Sequence, residues 1–280
     1  MADKSDRLIR FLLPGALARG AIIRAEHIIE GALAIHGLNG AVGEIFGKAL
    51  VASILLLSIS KGGVRQVLQL DARDDQPQAP VRRILSESRP GMVRGYLNWG
   101  ESGATSRSDA GNSLSAWMGK PVRTSVVRDL GFGHPYLSTI EHDSDYLADH
   151  MLHFLTQSAQ VQSDIILHGN IGLMIEAMPG CDEEHWFKAV EALASISNKQ
   201  LASESPENLL HAFDALGCKV VSDEPYSYHC SCNPEMMAAA LKSIDTEELH
   251  ELADESGKVT LSCQYCNRTY EIGINSLDSI

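Results

Sequence analysis

The sequence predicts an α+β domain over residues 1–178, a helical linker over 179–226 and a small C-terminal module over 227–280. Three observations lead to this division. Strand-like and helix-like apolar patterns alternate irregularly in the first part, which is typical of α+β domains. After Pro179 the pattern becomes helical as far as Gly217. All six cysteines lie from Cys181 onward.

The first domain is predicted to contain one long buried helix among several strands. Residues 41–60 have a wide apolar face and are followed by Gly62-Gly63, which is typical of a core helix. Residues 144–158 carry an amphipathic helical pattern. Short apolar runs predict strands at 64–71, 91–98, 121–128, 163–168 and 171–178, whereas the Gly- and Ser-rich stretch 100–119 predicts a loop or a weak hairpin.

The linker is predicted to consist of helices of low apolar content. Residues 183–196 place Trp186, Val190 and Leu193 on one face. A second helix is predicted to begin at Ser205-Pro206 and to end at Gly217, since Ser, Pro and Gly favour these end positions. A segment with few apolar residues and net negative charge is expected to pack weakly, so its local unfolding is expected to cost little.

The charge of the chain is concentrated near its C-terminal end. Residues 181–280 carry 6 Lys+Arg against 18 Asp+Glu, a balance of −12 out of the total of −13. Such a surface disfavours nucleic acids and anionic membranes as partners. The longest uncharged apolar stretch, 49–60, is too short to cross about 30 Å of hydrocarbon. We therefore expect a cytoplasmic protein, in which cysteines act as metal ligands or redox thiols.

Four cysteines form two close pairs, Cys230-Ser231-Cys232 and Cys263-Gln264-Tyr265-Cys266, with thirty residues between them. Four thiolates in two pairs suit tetrahedral Zn²⁺. The first pair can face one ion because residues i and i+2 of an extended chain point to the same side. We predict one Zn²⁺ per chain, bound by Cys230, Cys232, Cys263 and Cys266. The alternative is four unrelated buried cysteines, since free cysteine is common in protein cores.

The zinc-binding module is predicted to depend on its metal. A helix is expected from Asn233-Pro234 to Leu241, a second near Asp245, and strands at 258–262 and 269–274. About 50 residues bury too little apolar surface for comfortable stability. Closing the thirty-residue loop between the two cysteine pairs costs roughly 3 kcal/mol. Structural zinc contributes about 10–16 kcal/mol to folding in small peptides, which is more than this cost. Oxidation of the thiolates would release the metal, so we hypothesise a reversible redox switch.

The chain resembles the 33-kilodalton heat-shock chaperone family, whose members are redox-regulated holdases. The two cysteine pairs, their separation, Gly257-Lys258-Val259 and Tyr270 carry the specific part of the resemblance. Weaker similar stretches extend it over the whole chain: Ser60-Lys61-Gly62, residues 64–70, residues 125–131 and Met178-Pro179-Gly180.

The resemblance implies a function and a mechanism. The reduced, zinc-bound form would be inactive. Oxidation under unfolding conditions would form the disulfides Cys230–Cys232 and Cys263–Cys266, release zinc and unfold the module and the linker. The protein would then form a homodimer and bind unfolding client proteins without ATP. The family implies no enzymatic activity, and it assigns no role to Cys181 or Cys218.

Two other functions remain open from the residues. A static zinc ribbon that binds nucleic acid needs a basic surface, which the acidic balance opposes. A thiol–disulfide oxidoreductase needs its C-x-x-C at a helix start, whereas Cys263 follows a strand-like run. His150 and His153 have the spacing of one helix face but lack a further ligand, so we interpret them as core or surface residues. No Walker, H-E-x-x-H or G-x-S-x-G motif occurs in the sequence.

Overall fold

The computed structural model of the chain describes residues 6–60, 62–101 and 111–279. The chain forms two compact units, Met1–Tyr228 and His229–Ile280. Secondary structure is mixed in both units, as the sequence predicts.

A ten-stranded sheet forms the framework of the first unit. Its strands in chain order are β1 Asp6–Leu13, β2 Ala18–Arg24, β3 Arg65–Ala72, β4 Val81–Arg89, β5 Met92–Trp99, β6 Val122–Asp129, β7 Tyr136–His142, β8 Ser163–His168, β9 Ile171–Ala177 and β10 Lys219–Tyr228. The spatial order is β7-β6-β3-β4-β5-β10-β1-β2-β9-β8. Within the described residues, neighbouring strands of this sheet pair antiparallel except for the short parallel contact of β10 with β5.

The helix predicted over 41–60 is the central element of this unit. The helices are α1 Glu26–His36, α2 Gly40–Ile59, α3 Leu114–Met118, α4 Leu147–Phe154, α5 Glu183–Ala194, α6 Asn198–Ser203 and α7 Pro206–Leu210. Helix α2 packs against strands from both halves of the sheet. It is long and apolar enough to cross a membrane, but most of it is buried within the unit, as in a core helix of a soluble fold.

Strands β1, β2 and β9 bury apolar side chains on both faces. On β1, Leu8 belongs to the core around α2, while Ile9, Phe11 and Leu13 belong to a second core on the opposite face. The two sets alternate because successive side chains of a strand point to opposite sides. The helical segment 183–216 covers the second face with these buried side chains: Ala189, Leu193, Ile196, Leu201, Leu209, Leu210, Phe213 and Leu216.

The structure corrects the predicted linker in two respects. The segment 179–226 is helical only to Leu216, since Lys219–Tyr228 forms strand β10 between β1 and β5. The helical part also buries a complete second core rather than packing weakly. Its larger apolar residues, except the exposed Phe187, are buried in this second core or packed against it. The division of the chain at residues 178 and 226 stays a prediction.

The N-terminal strands were not evident in the sequence. Strand β1 contains Arg7 and Arg10 in a run that is otherwise apolar. These arginines pair with Asp223 and Glu224 of β10, more than 200 residues away in the chain. Long-range charge pairing of this kind leaves no local pattern. Within the stretch predicted as a loop, 102–110 lies outside the described residues, and Ser113 caps the short helix α3.

Three histidines meet between β7 and α4. The His142 ring lies 5.1 Å from the ring of His150 and 4.4 Å from that of His153. His150 is fully buried, and its Nε2 lies 3.1 Å from the carbonyl oxygen of Ser144. Burial lowers the pKa of His150, and neighbouring His142 and His153 act in the same direction, against Ser144 and Asp149. His150 is therefore a core residue, as interpreted from the sequence.

Acidification should destabilise the first unit through His150. The pKa of His150 is below 6.5 in the folded state. As the pH falls below about 6.5, His150 therefore takes up its proton more readily in the unfolded chain than in the folded chain. The free energy of unfolding decreases as a result. Denaturant unfolding between about pH 7.5 and about pH 5.5 measures this slope. His150→Leu should flatten it, whereas His134→Gln, at an exposed position, should leave it unchanged. An unchanged slope in His150→Leu would contradict the assignment.

Candidate metal centre

The second unit is small and has a small core. It contains helices α8 Pro234–Leu241 and α9 Thr246–Leu252, the hairpin β11 Lys258–Ser262 and β12 Thr269–Gly273, and a terminal 3-10 turn Ile274–Ser279. Both helices and both strands were predicted. The buried apolar cluster consists of Ala238, Leu241, Leu249, Val259, Ile272 and Leu277. So small a core supplies little stability by itself.

A tight turn between β11 and β12 holds the second cysteine pair. The Cys263 N–H donates to the Arg268 carbonyl at 2.9 Å, and the Cys263 carbonyl accepts from the Asn267 N–H at 2.8 Å. Asn267 has a left-handed backbone with φ of 56°, which Asn tolerates better than most residues. The turn directs both thiols to one side. It is not a helix start, so the helix-terminal activation used by thiol–disulfide oxidoreductases is missing at Cys263.

The first cysteine pair lies in the segment between β10 and α8. Cys230 follows β10 after one residue, His229. Asn233 ends this stretch by accepting a hydrogen bond from the Met236 N–H at 2.8 Å through its side chain, with Pro234 at the first helical position. The sequence predicted this cap. A fixed helix start immediately after Cys232 restricts the orientation of the pair.

The four cysteine sulfurs converge on one point. The Sγ atoms of Cys230 and Cys263 are 3.7 Å apart, and those of Cys232 and Cys266 are 3.4 Å apart. All four lie within 4.8 Å of one another. Tetrahedral zinc with sulfurs at about 2.3 Å requires sulfur–sulfur separations of about 3.8 Å. The donor set and its spacing therefore fit Zn²⁺ with only a small adjustment.

Cys232 and Cys266 of the cluster have pKa values shifted in opposite directions. Burial opposes ionisation of Cys232, but hydrogen bonds from Tyr270 and the neighbouring thiols lower its pKa to about 7. Burial and neighbouring Cys232 and Cys230 raise the pKa of Cys266 to about 12, and burial also raises the pKa of Cys263. Several thiolates cannot coexist so closely unless a cation compensates their charge. The cluster therefore has the electrostatics of a site for a divalent cation.

Tyr270 is a residue whose contact with the cluster the sequence did not reveal. Its hydroxyl lies 3.0 Å from the Sγ of Cys232 and donates to the Cys232 carbonyl at 3.1 Å. In the β11–β12 register Tyr270 pairs with Leu261, two residues before Cys263. The period of a strand places residues two apart on the same face. That alternation was the available signal.

Tyr270→Phe should lower zinc affinity by about tenfold to a hundredfold, because groups that hydrogen-bond to a ligand orient it and tune its charge. Competition with a chromogenic chelator measures the affinity. Tyr146→Phe serves as the control, since Tyr146 is exposed in the other unit. Equal affinities of Tyr270→Phe and the unmodified chain would show that this hydroxyl does not support the ligand set.

Cys181 and Cys218 lie outside the cluster, in the first unit. The Cys181 thiol donates to the Ala16 carbonyl at 3.4 Å, and Cys218 packs at the margin of the second core. Burial raises the pKa of both thiols, and Asp182 and Asp214 act in the same direction. A raised pKa reduces the fraction of each thiol that is present as the reactive thiolate. Both residues therefore serve as matched controls for the four clustered cysteines.

The fold and the cluster together define a class: a protein with a large mixed α/β unit followed by a small unit built around four cysteines. The model of the Hsp33 protein family matches residues 6–273. The chain belongs to the Hsp33 protein family, as the sequence resemblance indicated, and it is a chaperone of that family.

Several relatives match over nearly their full length. The chain is 25% identical over 288 residues to the 33 kDa chaperonin of Hahella chejuensis, covering 99% of this chain and 97% of the relative. It is 28% identical over 291 residues to that of Desulfotalea psychrophila, with 99% and 97% covered. The crystal structure of the 33 kDa chaperonin from Thermotoga maritima has the same fold, with a TM-score of 0.79 at 20% identity, covering 99% of this chain and 97% of that one.

Proposed function

We propose that this chain is a redox-regulated, ATP-independent holdase chaperone of the cytoplasm. In this proposal the reduced protein holds one Zn²⁺ and is inactive, while the oxidised protein forms a homodimer and binds unfolding client proteins. The observation that carries the proposal is the convergence of four cysteine sulfurs within 4.8 Å of one another. Family membership supports the chaperone class.

Cys230, Cys232, Cys263 and Cys266 would hold the zinc ion. Zinc supplies charge that keeps the four thiols ionised, and it ties the segment before α8 to the β11–β12 turn. The protein sets how far each of the four sulfurs is exposed. Cys232 and Cys263 are buried, while Cys230 and Cys266 are half-buried. Half-buried sulfurs remain accessible to a small oxidant, so the same cluster can sense peroxide.

Oxidation would form the disulfides Cys230–Cys232 and Cys263–Cys266. For each disulfide, two thiolates would lose two electrons to one hydrogen peroxide, which takes two protons from the solvent and becomes two waters. In the folded unit the Sγ of Cys230 lies 3.7 Å from that of Cys263, and the Sγ of Cys232 lies 3.4 Å from that of Cys266. Once the unit loosens, thirty residues separate the two pairs, and closing that loop costs conformational entropy. The cysteines close in sequence stay within reach of each other, which favours the proposed pairing.

The client-binding surface in this proposal is the sheet face under the helical segment 183–216. Release of that segment would expose the apolar side chains that β1, β2 and β9 contribute to the second core: Ile9, Phe11, Leu13, Ala18, Ile22, Ile171, Leu173 and Ile175. A continuous apolar patch of this kind is typical of protein-binding surfaces. The segment is tethered to β9 and β10, so it can open as a loop.

Oxidation alone is not expected to release this segment. Eight buried apolar side chains hold it on the sheet. At the end of β10 the Tyr226 hydroxyl donates to the Arg89 carbonyl at 2.6 Å, and the Tyr228 hydroxyl donates to the Gly95 carbonyl at 2.9 Å. These contacts would keep β10 in the sheet after the small unit unfolds. Full activation therefore requires an unfolding condition, such as heat, in addition to the oxidant.

Peroxide treatment at ambient and at elevated temperature tests the proposal. We expect release of one zinc per chain, loss of four reactive thiols, and the two short-range disulfides by peptide mass spectrometry, with suppression of client aggregation developing fully only on heating. Suppression by the reduced, zinc-loaded protein equal to that of the oxidised protein would refute the switch. A predominance of Cys230–Cys263 disulfides would refute the pairing.

The same experiment separates the proposal from an oxidoreductase, and a second measurement separates it from a nucleic-acid-binding zinc ribbon. A switch consumes a stoichiometric amount of oxidant and stops, whereas an oxidoreductase continues to turn over. The acidic balance of residues 181–280 supports the expectation that nucleic acids and anionic membranes are not partners. Retention of the chain on a nucleic-acid column at low salt would contradict that expectation.

A further inference from the structure

A cavity opens at the C-terminal end of α2 in the first unit. Its volume is about 240 Å³. It lies between the end of α2, strands β3 and β6, and a π-helical turn at Leu155–Ala159 that follows α4. The apolar part of its wall consists of Leu56, Ile59, Val126, Phe154, Leu155 and Val161.

The inner end of the cavity is polar but internally neutralised. Glu176 is only 3% exposed and pairs with Arg19. Arg19 also donates to the Ile59 carbonyl at 2.9 Å, at the end of α2. Burial raises the pKa of Glu176, and Arg19 acts against it. The charges of Arg19 and Glu176 therefore compensate each other and leave no net attraction for an ion at this end.

One polar atom in the wall lacks a partner. The Ser60 Oγ is buried and has no hydrogen-bond partner within the part of the chain that the structure describes. A buried hydroxyl without a partner is unfavourable, and a polar atom of a bound molecule would relieve the penalty.

The outer end carries an uncompensated positive charge. The Arg128 guanidinium lies 5.8 Å from the centre of the Tyr136 ring, and both side chains line the cavity. Among the described residues, Arg128 has no acidic partner within ion-pair distance, unlike Arg123 on the same strand, which pairs with Glu141. The planar donors of an arginine without an acidic partner suit a carboxylate.

We propose that this cavity binds a small carboxylic acid whose body is one ring or a short acyl chain. The carboxylate pairs with Arg128, and the apolar body lies between α2 and the π-helical turn. An apolar cavity of about 150 Å³ holds one benzene molecule, so about 240 Å³ suits a single substituted ring rather than a polypeptide segment. This inference does not depend on the thiol switch, because every wall residue belongs to the first unit.

Titration of the reduced, zinc-loaded full chain with hydrocinnamate tests the proposal, with hydrocinnamyl alcohol as the uncharged analogue. Calorimetry should show saturable binding of the acid at one site per chain and at least tenfold weaker binding of the alcohol. Arg128→Gln should weaken binding of the acid about tenfold, as expected for loss of one charge-assisted contact near the surface. Arg123→Gln makes the same charge change on β6 outside the cavity and should leave the affinity unchanged.

Ala159→Leu provides a second test, because Ala159 lines the cavity and a larger side chain would fill it. This variant should lose binding of the acid and keep its zinc content. The proposal is overturned by a lack of saturable binding, by equal affinity for the acid and the alcohol, or by full affinity in Arg128→Gln. Since Arg128 is exposed, its replacement tests the proposal even if Ala159→Leu fails to fold.

Discussion

Cys263→Ser is expected to unfold the C-terminal unit of the reduced protein and to abolish tight zinc binding. Serine replaces one of four sulfurs that lie within 4.8 Å of one another, and a neutral hydroxyl does not replace a thiolate ligand. Structural zinc contributes about 10–16 kcal/mol in small metal-dependent modules. The six-residue core of the unit cannot offset a loss of that size. Proton NMR of the β11–β12 hairpin and zinc content measure the two effects.

Cys181→Ser and Cys218→Ser are the matched controls for this variant. Each makes the same chemical change, but both residues lie in the first unit. They should retain one zinc per chain and a folded C-terminal unit. Stoichiometric, tight zinc in Cys263→Ser would remove Cys263 from the ligand set. Loss of zinc in either control would show that the thiol count, rather than the cluster, determines metal binding.

Phe213→Ala is expected to activate client binding without oxidation. Phe213 is fully buried in the second core, and its ring centre lies 5.5 Å from that of Phe11 on β1. Replacing a buried Phe by Ala costs about 3–5 kcal/mol. Because Phe213 belongs to the segment that covers the sheet, the cost weakens its attachment directly. The reduced, zinc-loaded variant should show faster proteolysis within 183–216 and measurable suppression of aggregation.

Phe187→Ala is the control for Phe213→Ala. It makes the same substitution in the same helical segment, but Phe187 is 66% exposed. It should leave proteolysis and aggregation suppression of the reduced protein unchanged. Faster proteolysis of Phe213→Ala without any gain in aggregation suppression would separate the segment from the client-binding surface and contradict the proposed surface.

The features that could be predicted from the sequence are local ones. The cysteine pairs were recognisable because their spacing and the Asn233-Pro234 cap fix the geometry within a few residues. Helix α2 was recognisable because its apolar face is continuous over twenty residues. Both features depend on neighbours in the chain, so one sequence contains the necessary signal.

The features that escaped prediction depend on distant pairs. Strand β10 was assigned to a helical linker because Asp223, Glu224 and Pro225 interrupt its apolar residues, and its pairing with β1 and β5 joins residues far apart in the chain. The second core was underestimated because half of it comes from β1, β2 and β9. Tyr270 was recognised only as part of the family resemblance, since its contact with Cys232 spans 38 residues.

We propose that oxidation of the four clustered cysteines converts an inactive chaperone into an active one. Aggregation suppression by one preparation, measured reduced with zinc, after peroxide and heat, and after reduction with zinc restored, tests it most directly. We predict weak, strong and again weak suppression, and excess reductant present during the peroxide and heat step should prevent the strong suppression. Strong suppression in the first state, or none in the second, would contradict the claim.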